Sequence, residues 1–547
     1  MLKFLNNLIE KLETAQTSFY LWAITFLSII FARVLMENWL GGMVNKSGDY
    51  FFHHVAYTFF FFFMSYSIFV GLLMINLKLE LKKAANISLF GYLIIIFPPL
   101  IDYIVLRDSF FLSFYGIYEL ADMPYRFFTV FGKDPHFGVT YGVRVEIVMT
   151  VLALILYGYL KTGKTLKSLW LGIQAYLILF VLASFPSWIT IFLLGWSKGF
   201  FAVVETDIVK LFLTSAKFFS RETGTYLNAL SIKLTTIYSL MLMVVINLGL
   251  YFNYRNKFIA FVKNCRPVQI IYHLGLLVVG MGLGMFFTQT NWDFNLFNGL
   301  AFLNIALAVI FAWLASVVVN DIYDKQIDGL TNKKRPLLVG IFTEKEYIVA
   351  GVVIWLASLL YAGIINPKIV WILIAYQALA WFYSAWPLRL KRFPIVASLI
   401  SALASCLIMF AGFMLVSPGE DIQEFPRRIF WLVLIALTIS LPIKDLKDIA
   451  GDKLDKVYTI PVIFGEYWGK VIIGSGIFLS YFLSIIFLNE FSLNFWAILL
   501  GGLSFWVVIF SGNHKKINNR NVIWWVLALL LVYLLILLKL IFLEKLA

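Results

Sequence analysis

The chain has 547 residues, of which 61% are hydrophobic and only 14% charged, with a mean hydropathy of +0.88 and a formal net charge of +14. That composition excludes a soluble globular protein, and repeated apolar runs of about 18 or more residues read as membrane-spanning helices. Its two cysteines, Cys265 and Cys406, fall in a loop and a span, so neither a disulfide nor a Cys/His metal site is expected.

In chain order, residues 1–255 hold about six apolar runs: 19–35, 56–75, 87–105, 147–160, 169–182 and 234–250. The first lacks a small-residue cleavage pattern and reads as a retained span. Two longer intervals, roughly 107–143 and 186–231, carry aromatic, amphipathic stretches expected to lie at the interface or to re-enter the membrane. The phenylalanine run at 59–63 is expected to be packing or lipid-facing surface. Asp102, after Pro98 and Pro99, is an intramembrane acid that lines a polar site or sits at the interface. A basic connector at 254–266 then marks a domain boundary, giving an N-terminal membrane domain (1–255) and a C-terminal one (256–547).

Nine further runs follow: 270–289, 298–319, 346–363, 367–385, 395–416, 429–443, 468–488, 494–511 and 522–542. The expected fold is therefore an all-α polytopic membrane protein, six helices preceding a nine-helix bundle. Gly280 to Gly284 might suggest a nucleotide loop, but the stretch lies inside an apolar span with no strand before it, so small-residue helix packing is expected. The five histidines form no cluster. Alternate loops of the C-terminal half hold twenty Lys/Arg against four, which puts the basic loops on the cytoplasmic side. The positive charge is thus membrane topology, not a nucleic-acid footprint.

Two acidic rows sit at the ends of apolar runs on that side. Residues 320–328 read N-D-I-Y-D-K-Q-I-D, and at ~100° per residue Asn320, Asp324 and Asp328 fall within ~80° of one another on a helix. Asp321 points off that face. Asp445, Asp448 and Asp452 follow the run 429–443 at i, i+3 and i+7, a spacing that keeps all three on one helical face. Carboxylates beside a hydrocarbon core need a partner or a task, and two such rows suit Mg2+, which shares its coordination with substrate phosphates. Basic candidates lie close by: Lys333, Lys334 and Arg335; Arg389, Lys391 and Arg392; Lys444 and Lys447. Carboxylates, cations and an apolar cavity behind them point to a lipid diphosphate.

These motifs resemble the UbiA superfamily of intramembrane prenyltransferases. The likeness covers about residues 260–547: the first acidic motif, T-N-K-K-R-P-L-L-V-G at 331–340, Y-S-A-W-P-L-R-L-K-R at 383–392, and K-D-L-K-D-I-A-G-D with T-I-P-V-I-F-G at 444–465. Cys265-Arg266-Pro267 is similar to the Arg-Pro that opens the family's first helix. The resemblance implies that an isoprenyl diphosphate ionises on two Mg2+ and alkylates an acceptor within the membrane. It places one ion on Asn320, Asp324 and Asp328 and the other on Asp445, Asp448 and Asp452. It puts Lys334, Arg335, Arg389, Lys391, Lys447 and Arg266 around the diphosphate, and Tyr383 near the reacting carbon, with Asp324 and Asp445 central to catalysis. One departure is Pro387, where some members carry a lysine four residues after the tyrosine. Acceptors in such proteins include aromatic acids and glycerol phosphate ethers, and the sequence leaves the choice open. The rival reading is a non-catalytic transporter or scaffold whose bundle only binds an isoprenoid lipid; two intact acidic rows argue against it.

Overall fold

The computed structural model describes residues 2–40, 48–106, 115–132, 139–214, 217–219, 221–222, 226–290, 295–325, 328–329, 335–419, 421–447, 449–454, 457–512, 518–519 and 521–540. The chain separates into two compact units, Met1–Phe218 with Glu222–Arg255, and Phe219–Arg221 with Asn256–Ala547. Among the described residues the sole β structure is a ribbon pairing Lys217–Phe218 with Arg221–Glu222. Among those residues thirteen helices are long and apolar enough to cross a membrane, six in the first unit and seven in the second. This is a multi-pass, all-α membrane protein, as the apolar runs predict.

The first unit contains α1 (Leu2–Thr14), α2 (Phe19–Leu40), α3 (Gly48–Leu77), α4 (Leu81–Gly91), α5 (Pro98–Leu106), α6 (Met123–Phe128), α7 (Tyr141–Thr162), α8 (Thr165–Ala183), α9 (Phe185–Lys198), α10 (Glu205–Phe212) and α11 (Tyr226–Asn253). The run expected at 87–105 is one span in three pieces. Its α-helix stops at Gly91, a 3₁₀ stretch covers Tyr92–Ile96, and α5 starts on Pro98, because a proline opens a helix but cannot continue one. Asp102 is fully buried and not a surface group. Its Oδ1 accepts from the Gly142 amide at 2.7 Å and so satisfies the first turn of α7 from a neighbouring helix. The phenylalanine run is packing surface, with Phe60 buried and Phe59, Phe62 and Phe63 against the core of Phe26, Tyr66 and Tyr92. The long intervals hold short helices, α6, α9 and α10, rather than further spans.

The second unit runs α12 (Arg255–Lys263), α13 (Pro267–Thr288), α14 (Leu296–Tyr323), α15 (Glu344–Ile365), α16 (Pro367–Ser384), α17 (Pro394–Val416), α18 (Arg427–Ser440), α19 (Ile449–Leu454), α20 (Ile460–Leu488), α21 (Asn494–Ile509) and α22 (Val522–Leu538). Starts are encoded locally. Thr343 and Glu346 form a capping box for α15, and the Asn366 side chain accepts from the Lys368 amide at 2.9 Å ahead of α16. Both cysteines are free thiols, and His273 is a satisfied core histidine between Gln269 O (2.6 Å) and Tyr376 OH (2.9 Å).

The glycines of α13 act in helix packing. A Cβ on Gly280 would lie 2.0 Å from Met409 O, and one on Gly412 of α17 would lie 2.0 Å from Leu277 O, whereas one on Gly282 meets nothing within 4 Å. Backbone against backbone leaves no room to relax, so Gly412→Ala is expected to lower stability by about 1–3 kcal/mol, and Gly282→Ala to leave it unchanged. Thermal unfolding of the two variants in detergent checks this; equal midpoints would rule out the close crossing.

Candidate active site

α14 carries the first acidic motif to the membrane edge. Regular helix ends at Tyr323, yet the Asp324 amide still donates to Asn320 O (2.9 Å) and the Asp328 amide to Asp324 O (2.8 Å). Two backbone bonds of i to i−4 type thus link Asn320, Asp324 and Asp328 past the last regular residue. Residues 326–327 and 330–334, with Lys333 and Lys334, lie outside the described residues.

Asp321 faces elsewhere and has a different role. It is 2% exposed and saturated by donors: Arg266 Nη2 at 3.0 Å, Asn264 Nδ2 at 2.6 Å and Tyr347 OH at 2.9 Å. Arg335 Nη1 lies 3.8 Å away and donates to Asn264 Oδ1 at 2.6 Å. Asp321 thus ties the basic connector, the start of α15 and Arg335 to the end of α14. Arg266 is engaged in this anchor. Asn264 and Tyr347 were invisible to motif reading, since neither residue type, two residues before Arg266 or four after Thr343, signals anything alone.

The segment after α16 delivers the cations. The Arg389 amide donates to Ala385 O (2.8 Å), and Arg389 itself adopts φ 40°, a left-handed conformation that costs a non-glycine residue about 1–2 kcal/mol. The turn brings two cations to one carboxylate. Arg389 Nη2 lies 3.1 Å from Asp324 Oδ1, and Lys391 Nζ binds both oxygens of the same carboxylate. Lys391 Nζ also reaches Asn320 Oδ1 (3.4 Å), which accepts from Ser384 Oγ at 3.1 Å. Arg392 instead stacks on Trp386, 4.5 Å from the ring centre.

Asp328 is less well served. Arg335 Nε approaches its Oδ2 to 3.3 Å without hydrogen-bond alignment. Burial raises the pKa of Asp328 above the usual carboxylate range, Arg335 opposes the rise, and neighbouring Asp321 and Asp324 add to it.

The second acidic motif departs from the expected single helical face. α18 ends at Ser440, and residues Leu441–Lys447 form a 3₁₀ stretch around Pro442, whose ring cannot continue an α-helix. Asp445 is on this stretch, half-buried, with Lys447 exposed; Asp452 belongs to the separate short helix α19, and Asp448 lies outside the described residues. Lys444 Nζ donates to Tyr383 OH at 3.3 Å and sits 5.4 Å from the centre of its ring, linking this motif to the end of α16. Among the described residues no three His, Cys, Asp or Glu side chains converge as a ready metal cluster. In the first motif each hard oxygen donor is approached by a long cationic side chain: Asn320 by Lys391, Asp324 by Arg389 and Lys391, and Asp328 by Arg335.

Residues 275–535 match the UbiA prenyltransferase family. The chain is 26% identical over 149 residues to the digeranylgeranylglyceryl phosphate synthase of Methanothrix thermoacetophila, covering 27% of this chain and 53% of that relative. It is 29% identical over 212 residues to the 4-hydroxybenzoate octaprenyltransferase of Yersinia pseudotuberculosis, covering 38% of this chain and 67% of that one. The alignment thus spans about half the length of the archaeal relative. A solved UbiA homolog from Archaeoglobus fulgidus bound to DMAPP and Mg2+ aligns with a TM-score of 0.39 at 19% identity, over 50% of this chain and 95% of that one. The match to the UbiA prenyltransferase family thus lies wholly within the C-terminal unit.

Proposed function

We propose that the C-terminal unit transfers an isoprenyl group from an isoprenyl diphosphate to an acceptor within the membrane. The observation that carries this reading is Asp324, held by Arg389 and Lys391 beside Asn320 at the end of an apolar span. An isoprenyl diphosphate has the chemistry to separate these groups, a polyanion for the cations and a hydrocarbon tail for the membrane. The acceptor is of the aromatic or glycerol-phosphate type, the two kinds named for the relatives. The Lys/Arg bias of the loops supports a cytoplasmic location for both acidic motifs.

The carboxylate row fits a divalent ion in chemistry. It supplies hard oxygen donors, and one of them, Asp328 Oδ2, is buried without an aligned hydrogen bond. Asn320, Asp324 and Asp328 would hold one Mg2+, and Asp445, Asp448 and Asp452 the second; bound there, the ions neutralise charge on the departing diphosphate. The protein's own cations do the rest of the binding. Arg335, Arg389 and Lys391 grip phosphate oxygens, with Lys334, Lys447 and Arg266 at the margin. Tyr383, steadied by Lys444, borders the reacting carbon. The allylic C–O bond breaks, diphosphate leaves with the electron pair, and the acceptor forms the new bond and releases a proton.

Asp324→Asn is expected to reduce turnover by roughly a hundredfold or more while the protein stays folded, and Lys391→Ala to weaken donor binding. The assay is diphosphate release from geranylgeranyl diphosphate by the full chain in lipid, with and without Mg2+, across aromatic and glycerol-phosphate acceptors. Release that needs no Mg2+, or full activity in Asp324→Asn, would refute the assignment.

The two buried aspartates should separate by stability. Asp328 has a raised folded pKa, so the native state binds its proton more tightly than the unfolded chain, and stability falls as pH rises through that window. With metal removed by a chelator, Asp328→Asn should therefore be as stable as the parent at neutral pH or more so. Asp321→Asn, which breaks the pair with Arg266, should lose roughly 3–5 kcal/mol. Thermal unfolding of both variants at acid and neutral pH reads the difference, and equal losses would mean that both are structural.

A further inference from the structure

The first unit contains a cavity of about 380 Å³, within the ~300–1,000 Å³ usual for small-molecule sites. It is a slot running along two long helices. On α7 its lining extends from Val143 to Leu160, and on α3 from His54 to Leu73. At ~1.5 Å per residue the α7 wall is ~25 Å long, well beyond the half of a ~30 Å hydrocarbon core that an ordinary acyl tail fills.

The two ends of the slot differ. One is apolar: Leu5, Leu8, Ile9 and Leu12 form one face of α1 over the slot, and Glu13 pins that helix through Tyr157 OH and Lys161 Nζ, both at 2.7 Å. The other holds a charged group far from solvent. Arg33 Nε lies 3.5 Å from Glu37 Oε2, Arg33 Nη1 lies 3.9 Å from Glu146 Oε2, and His54 Nε2 lies 3.3 Å from Glu37 Oε2. The side chains of Arg33, Glu37 and His54 are each at most 6% exposed. Arg33 Nη1 also donates to Ile95 O at 2.8 Å, the carbonyl of the 3₁₀ break before Pro98. Between the ends the walls are mainly Phe, Leu and Ile. Ion groups inside the hydrocarbon layer are expensive, and a well-packed apolar core would be at least as stable, so their retention at the head of an apolar slot points to a ligand.

We propose that the N-terminal unit binds a single long-chain lipid alcohol in this slot, with its chain along α3 and α7 and its hydroxyl at Arg33, Glu37, His54 and Glu146. The head is uncharged because the one guanidinium already faces two carboxylates. A phosphate or carboxylate head would meet Glu37 and Glu146, and an amine head would meet Arg33. A hydroxyl can donate to a carboxylate and accept from Arg33 or His54. This inference is independent of the chemistry assigned to the C-terminal unit.

The test uses the full chain in lipid with photoreactive geranylgeraniol, the saturated alcohol of equal length, and the corresponding monophosphate and amine, with cross-links mapped by mass spectrometry. Saturable labelling of residues 54–73 and 143–160 by one or both alcohols is expected, with the monophosphate and amine weaker by about tenfold or more. The ratio between the two alcohols tells an isoprenoid from a fatty-alcohol source. Labels in the C-terminal unit are scored separately, because a donor analogue binds there under the proposed function. Thr150→Trp and Ala153→Trp, each filling the slot from α7, should abolish the N-terminal labelling, while Glu37→Gln should narrow the gap between alcohol and phosphate. Monodisperse elution of each variant secures the comparison. Labelling that survives both tryptophans, or equal labelling by the phosphate or amine, would overturn the proposal.

Discussion

A carboxylate at the end of an apolar helix must be neutralised, and the membrane edge of the C-terminal unit is arranged around that demand. Within one turn α14 presents Asn320, Asp321 and Asp324 where solvation is poor, and each negative charge there draws in a cation from a distant part of the chain. Arg266 comes from the connector, Arg335 from the segment before α15, and Arg389 and Lys391 from the turn after α16. Ion pairing thereby gathers segments that helix packing alone would leave apart. Burying such pairs is roughly neutral for stability when every partner is present and strongly unfavourable when one is lost. The arrangement therefore specifies which loops meet more than it strengthens the fold.

Much of this was legible because two simple periodicities carry it. Spans follow from apolar runs, and the spacing of four between Asn320, Asp324 and Asp328 coincides with backbone hydrogen bonds that pass the last regular residue. Gly280 and Gly284 read correctly as packing residues for the same reason, since i and i+4 share a face. The second acidic motif did not follow its spacing. Pro442 ends α-helical geometry five residues before Lys447, so a rule that assumes 3.6 residues per turn puts Asp445 and Asp452 on one helix when they lie on two elements. A proline just inside the end of an apolar run was the available signal.

Other features had no local signature at all. Asp321 looked like the misaligned member of a metal motif, and its role emerges only when Asn264 and Tyr347 arrive from elsewhere in the chain. Arg33, Glu37, His54 and Glu146 are single polar residues scattered over three helices, and Asp102 reads as an intramembrane acid until the Gly142 amide is seen against it. Periodicity reports which side of one helix is apolar. It is silent about pairs formed between helices, and inside a membrane those pairs decide where charge can survive.

The three carboxylates of the first motif illustrate how structure and function divide similar residues. Asp321 is held by an amide, a phenol and a guanidinium on short, packed side chains or at an aligned distance, so its partners have little freedom to leave. Asp324 is held by a lysine and an arginine on long stems, which can swing to a new anion at modest cost because their heads stay at the membrane edge. If Lys391 leaves Asp324 for a phosphate, Arg389 stays on the carboxylate and no buried charge is stranded. Two cations on one carboxylate leave an excess of positive charge at the end of the apolar span, so one of them can turn to an incoming anion while the other keeps Asp324 paired.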